Sequence, residues 1–180
     1  MRNARAQVTV RSAETGSSPR SPAKRRRSVE ILCPTATYVA PLDCWTFTIP
    51  RLLRSPNATY WRHWRIKQRE AKLWRALLLA ALVDAGPAGA PIVREALSGR
   101  RVGPPGPRRV RIERWCARPQ QFIRDRDNLA FCGKHLVDAL VGIGLLVDDD
   151  PAWADRPLPT QHVSAQGRTY TVVVVEPFTP

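Results

Sequence analysis

Two hydrophobic periods take turns along this chain, and the switches between them mark its elements. Cys44 to Ile49 reads CWTFTI, a β-branched and aromatic run of alternating character that predicts a first strand. Pro50 to Asn57 breaks it, with turn chemistry at Ser55-Pro56-Asn57. From Tyr60 to Val83 the period lengthens. Trp61, Trp64, Leu73, Trp74, Leu77, Leu78, Ala81 and Leu82 recur at threes and fours with Arg and Lys between them, which predicts a long helix ended by Gly86. The Gly-Pro-rich stretch from Gly99 to Pro107 must be a loop. Val110 to Cys116 (VRIERWC) alternates again as a second strand, with Val110, Ile112 and Arg114 on the parity opposite to Arg111 and Glu113.

A second helix is expected from Asn128 to about Val141, with Leu129, Leu136 and Leu140 on one side, Asp127 or Asn128 as N-cap, and Gly142 and Gly144 as stops. Thr169 to Glu176 (TYTVVVVE) is almost continuously apolar and reads as a strand central in a sheet. The order β-α-β-α-β, without internal repeat, predicts an α/β (α+β) domain with a small mixed sheet and two main helices. The 180 residues suit one such domain, over residues 43–180, preceded by an arm at 1–42. Within that arm Met1 to Ser28 is rich in Arg, Ser, Pro and Ala, ends in Lys24-Arg25-Arg26-Arg27, and has too little apolar surface to offset its ordering entropy.

Charge narrows the function. Lys plus Arg number 29 against 15 Asp plus Glu, a net charge of +14, which favours polyanions. The longest apolar stretch, Ala76 to Val83, is far short of a membrane span, and Met1 to Glu30 lacks the apolar segment of a secretory signal. A cytoplasmic protein with no membrane partner is expected. Cys33, Cys44, Cys116 and Cys132 show no metal-finger spacing and read as buried free thiols. The charge is also segregated. Residues 1–29, 51–75 and 100–118 are strongly basic, each with one acid, whereas the chain from Pro119 on holds eight acids and five basic residues.

Asp125-Arg126-Asp127-Asn128 is the centre of that acidic region. Two carboxylates spaced by one residue in an extended stretch project to the same side and suit a hard cation of the Mg²⁺ type. Lys134 lies seven residues beyond Asp127, roughly two helical turns on, and a third acid can arrive from the Asp148-Asp149-Asp150 turn. Carboxylates with a nearby cation are the parts needed for phosphodiester hydrolysis. Taken alone, an Asp-x-Asp is more often a helix cap or a solvated turn. An EF-hand is excluded, because the Gly and the terminal Glu of its loop are missing.

The whole string Arg124-Asp125-Arg126-Asp127-Asn128-Leu129, Lys134, Asp138-Ala139-Leu140, Gly144, Val147-Asp148-Asp149 resembles the signature of RusA-like Holliday junction resolvases. The resemblance spans roughly residues 45–176 and is most specific over 124–149. It implies an endonuclease of four-way and other branched DNA. In that reading Asp125, Asp127 and Asp149 hold Mg²⁺ (or Mn²⁺ in its place), Lys134 assists catalysis, and the protein works as a homodimer. Ser55-Pro56-Asn57, followed by Tyr60 and Arg62, resembles the family's basic loop after the first strand. Asn57, Arg62, Arg65, Lys67, Arg69 and Arg124 are the expected DNA contacts. Trp61, Trp64 and Trp74 could stack on bases, but the core reading is ahead for them. Of His63, His135 and His162, only His135 is expected near the site. The alternative is a non-catalytic DNA-binding regulatory protein on the same scaffold, and the three acids argue against it, since like charges facing phosphate only weaken binding.

Overall fold

The structure, a computed structural model, describes residues 33–58, 64–100 and 106–179, with side chains except at 58 and 64–67. The strands are β1 Thr35–Val39, β2 Cys44–Ile49, β3 Arg108–Cys116, β4 Ala154–Asp155, β5 Thr160–Val163 and β6 Tyr170–Pro177. The helices are α1 Trp64–Asp84, α2 Ala90–Ser98, α3 Arg126–Phe131 and α4 Lys134–Gly142. The sheet is mixed, in the order β1-β2-β6-β3-β4, with β5 also paired to β3. Neighbours from β1 to β3 are antiparallel, whereas β4 and β5 run parallel to β3. The α+β class and the central place of the last strand thus follow the hydrophobic pattern.

Pleating explains the core. Trp45, Val175 and Val110 form one row across β2, β6 and β3, and Phe47, Val173 and Ile112 form the next. All six are buried, and Trp74, Leu78 and Leu82 of α1 with Leu136 and Leu140 of α4 complete the same cluster. The third row, Ile49, Thr171 and Arg114, is equally buried but two-thirds polar. Its polar atoms are satisfied locally, for Thr171 donates to the Arg51 carbonyl at 2.6 Å and Arg114 donates to the Leu53 carbonyl at 2.9 Å.

Four features differ from the sequence reading. The folded region starts before residue 43, because Thr35–Val39 pairs with β2 through a turn closed by Asp43 in the left-handed region (φ 44°). The second helix is broken in two around Cys132 and Gly133. A side chain at Gly133 would come within 2.8 Å of the Ile112 Cδ1 atom, so the chain packs closely on β3 there and the end of the Ile112 side chain would have to shift to admit one. Its first half begins earlier than expected, capped by Asp125 rather than by Asp127 or Asn128. Of the cysteines, Cys116 and Cys132 are buried thiols, but Cys44 is half-buried and Cys33 exposed. Burial pushes the Cys132 thiol up to about 11, so it stays protonated and inert. The sequence reading did not include α2, nor the small strands β4 and β5, which carry too few residues for a period to register. The basic arm up to residue 32, the start of the long helix with Trp61 and His63, and most of the Gly-Pro loop lie outside the described residues.

The return from α1 to α2 is tight enough to test. Gly86 takes φ +64°, and Gly89 lies so close to α1 that a Cβ there would meet the Leu82 carbonyl oxygen at 2.0 Å. Backbone cannot yield as a side-chain tip does. Gly89→Ala should therefore cost on the order of 2–3 kcal/mol, read as a lower urea midpoint at unchanged slope. A midpoint within error of the parent would mean that α2 does not pack this closely.

Candidate functional site

The chemistry-bearing residues come from three neighbouring segments: the start of α3, the start of α4, and the loop after α4. Asp125 adopts an extended conformation and its Oδ1 accepts the Asn128 N–H at 2.7 Å, the N-cap arrangement for α3. Asp127 lies in the first turn of that helix. A spacing of two residues at a helix start does not keep two side chains together, as it would in an extended strand. The two carboxylates accordingly part. Asp127 lines an open cleft of about 490 Å³, whereas Asp125 lines a separate depression of about 400 Å³ on the other flank of α3.

The cleft gathers Asp127, Lys134 and Asp149, with Arg126 and Arg156 on its rim. Lys134 reaches it from the first turn of α4, in spite of the helix break, because the turn at Gly133 brings the new helix onto the Asp127 side. Its Nζ donates to Asp138 Oδ1 at 3.3 Å and to Asp149 Oδ2 at 3.4 Å. Arg156 stands 3.8 Å from the same Asp149 oxygen. Of the three consecutive aspartates, Asp149 alone lines the cleft. Asp148 Oδ1 accepts the Asp149 N–H at 2.6 Å, and the exposed Asp150 accepts the Ala152 N–H at 2.8 Å in the turn before β4.

The electrostatics give the two central groups different tasks. Partial burial opposes ionisation of Asp149, but the Lys134 ammonium outweighs it, with smaller help from Asp148 and Arg156, and the carboxyl is held below its ordinary range. Burial likewise opposes the charge on Lys134, yet Asp138 and Asp149 overcome it and raise its pKa. At neutral pH Asp149 is therefore an anion and Lys134 a cation. Lys134 is unsuited to act as a base and suited to stabilise negative charge.

The remaining expectations divide. Arg124 borders the Asp125 depression, and Asn57 and Arg69 are exposed. Arg62 lies outside the described residues, as do the side chains of Arg65 and Lys67. Trp74 is core, at 2% exposure. His135 is half-buried with its Nδ1 3.9 Å from Asp138 Oδ2, and His162 stacks on Trp115 with centroids 4.6 Å apart. Arg126 and Arg156 were not foreseen. Arg126 was legible as the residue between the two aspartates, but Arg156 joins the cleft only through the fold of the loop after the Asp148–Asp150 turn.

A hard divalent cation suits the donors at the cleft, which are carboxylate oxygens without thiol or imidazole. Among the described residues no three His, Cys, Asp or Glu side chains form a group that could hold a metal, so the resemblance's three-acid set is not gathered here. Mg²⁺ often binds through one or two carboxylates plus waters and substrate phosphate, which Asp127 and Asp149 can provide. No helix among the described residues is long and apolar enough to cross a membrane. No family model matches the chain, and neither do any curated protein or solved structure.

The Lys134–Asp149 pair is exposed, with side-chain accessibilities of 57% and 36%, so its worth in stability is under about 1 kcal/mol. With the Asp149 pKa depressed, that contribution is present above about pH 4 and fades as pH falls through the lower folded value. With the Lys134 pKa raised, its share persists through neutral pH and is lost only as pH rises through the folded value. Lys134→Met should move the Asp149 carboxyl titration, followed by its side-chain ¹³C shift, to higher pH. An unmoved titration would mean that the two groups do not pair in solution.

Proposed function

We propose that this chain is a Mg²⁺-dependent endonuclease of branched DNA, similar to the RusA-like resolvases, acting as a homodimer on four-way junctions. The observation that carries the reading is the cleft itself, where two carboxylates from separate segments face one space, with a charged lysine bonded to one of them and two arginines in the same lining. A protein that only bound DNA would gain nothing from acids at this place, because they repel phosphate.

In this reading Asp127 and Asp149 hold the cation in the cleft. When bound, it supplies positive charge to the phosphoryl oxygens and activates water as a nucleophile. Asp149 is ready for this, since its neighbours keep it ionised. Arg126 and Arg156 bind and orient the phosphodiester. Lys134, protonated at neutral pH, stabilises negative charge that builds on the phosphate in the transition state. Asp125 has one oxygen committed to the helix cap, and its second oxygen is available to a ligand. The homodimer follows from the task, as symmetric cleavage of a junction needs two sites facing two strands.

The test is a cleavage assay on a four-way junction and a linear duplex of the same sequence, with and without Mg²⁺. Asp127→Asn and Asp149→Asn should each reduce junction cleavage by on the order of 100-fold or more, while junction binding is unchanged or tighter. Asp148→Asn and Asp150→Asn should cleave nearly as the parent does. Asp125→Asn separates two roles, because Asn caps a helix as well as Asp does. A loss of cleavage at unchanged melting temperature would make Asp125 a ligand, and retained cleavage would make it only a cap. Binding without cleavage by the parent protein under all metal conditions would return the chain to the non-catalytic class.

A further inference from the structure

We infer that the depression on the Asp125 flank of α3 is a second phosphate-binding subsite, which takes a DNA backbone phosphate next to the one at the cleft. This rests on the reading of the chain as a DNA-binding protein, though not on its being catalytic. The key group is Arg114. Its side chain forms part of the lining at 2% exposure. A buried guanidinium is normally paired with a carboxylate. Here, among the described residues, no carboxylate oxygen lies within 4.0 Å of it. Its partners are neutral: the Leu53 carbonyl, met by Nε at 3.1 Å and Nη2 at 2.9 Å, the Gln121 carbonyl at 3.3 Å, and the Gln161 amide oxygen. The dipoles satisfy its hydrogen bonds but leave a full positive charge under the depression.

The rest of the lining is built for the same ligand. Arg54 and Arg124 are exposed at its edges, and Ser55 and Asn128 add polar side chains. Asp125 is the single acid of the lining, and its Oδ1 already accepts the Asn128 N–H. Three guanidiniums against one carboxylate leave a net attraction for an anion. Arg114, with most of its donors committed, supplies charge, whereas Arg54 and Arg124 are free to fork onto phosphate oxygens. The place of the depression selects the kind of anion. The start of α3 contributes to both linings, with Arg126 and Asp127 on the cleft side and Asp125 and Asn128 on this side. A strand crossing α3 would present one phosphate to each, so a polymer with repeated phosphates fits better than an isolated acid.

The test measures binding of a four-way junction in EDTA, so that cleavage plays no part. The double variant Arg54→Ala/Arg124→Ala should bind about 8-fold more weakly at about 0.1 M salt, with the slope of log affinity against log salt reduced by about 0.9, the loss of one phosphate contact. Arg94→Ala, an exposed arginine of α2, should change affinity by less than about threefold. An equal loss in both variants, or none in the double variant, overturns the subsite. Arg114→Gln should also weaken binding at an unchanged melting temperature; should it unfold, the double variant still decides. A titration with inorganic phosphate, followed by amide shifts, distinguishes the two depressions. Shifts at Ser55, Arg124 and Asn128 that vanish in the double variant support the subsite, and shifts confined to Arg126 and Arg156 refute it. A parent that binds junctions through this depression but never cleaves them would leave the subsite standing and remove the nuclease reading.

Discussion

Burying the Arg114 guanidinium without a carboxylate partner constrains everything around it. The side chain projects into the core face of β3, in register with Thr171 and Ile49, where the two rows before it are wholly apolar. Such a group is tolerable only if its N–H donors meet acceptors, so the chain must bring carbonyls to it. Leu53 comes from the loop after β2, and Gln121 from the segment after β3. Gln161 of β5 accepts from Arg114, accepts the Ile123 N–H at 2.9 Å and donates to the Ile123 carbonyl at 3.0 Å. One charge thus ties β3 to the loop after β2, to β5 and to residues 121–123. The last of them, residues 121–123, delivers Asp125 to the start of α3. The position of the candidate site depends on this polar end of the sheet as much as on the apolar core.

From that anchored start, α3 acts as a divider. Six residues of helix separate a cleft that holds the two carboxylates among basic groups from a depression that is mainly basic, and neighbouring residues of one short sequence serve both. The capping role of Asp125 follows from the same geometry, since the residue that ends the extended segment must satisfy the first free N–H groups of the helix. The break at Gly133, which packs closely on Ile112, then starts α4 with Lys134 at the cleft. A continuous helix would leave the position of the ammonium to the helical period alone. With the break, the start of α4 beside β3 sets it.

Much of this was legible in the sequence. The alternation of VRIERWC forecast which residues of β3 are buried, including the unexpected parity of Arg114, and the valine run of β6 forecast its central place. The grouping of Asp127, Lys134 and Asp149 was legible as well, through spacing and through the resemblance. What escaped were features decided by tertiary contact. The pairing of Asp125 with Asp127 assumed an extended backbone, and the helix cap overrode it. The uninterrupted second helix followed from a good apolar period at Leu129, Leu136 and Leu140, which carries no sign of the break at Cys132 and Gly133. Arg156 lies beyond any local pattern, because a loop brings it to Asp149. β1 went unread although TATYV alternates, since its partner is set by the left-handed turn at Asp43.

The central claim is that Asp127 and Asp149, brought from separate segments, form one cation site. Paramagnetic broadening by Mn²⁺ at substoichiometric amounts tests it without reference to any substrate. The amide signals of Asp127, Lys134 and Asp149 should weaken together at the lowest Mn²⁺ concentrations, ahead of exposed acids elsewhere such as Asp84, and excess Mg²⁺ should restore them. Broadening confined to the Asp148–Asp150 turn with Asp127 unaffected, or spread evenly over all exposed acids, would contradict the account.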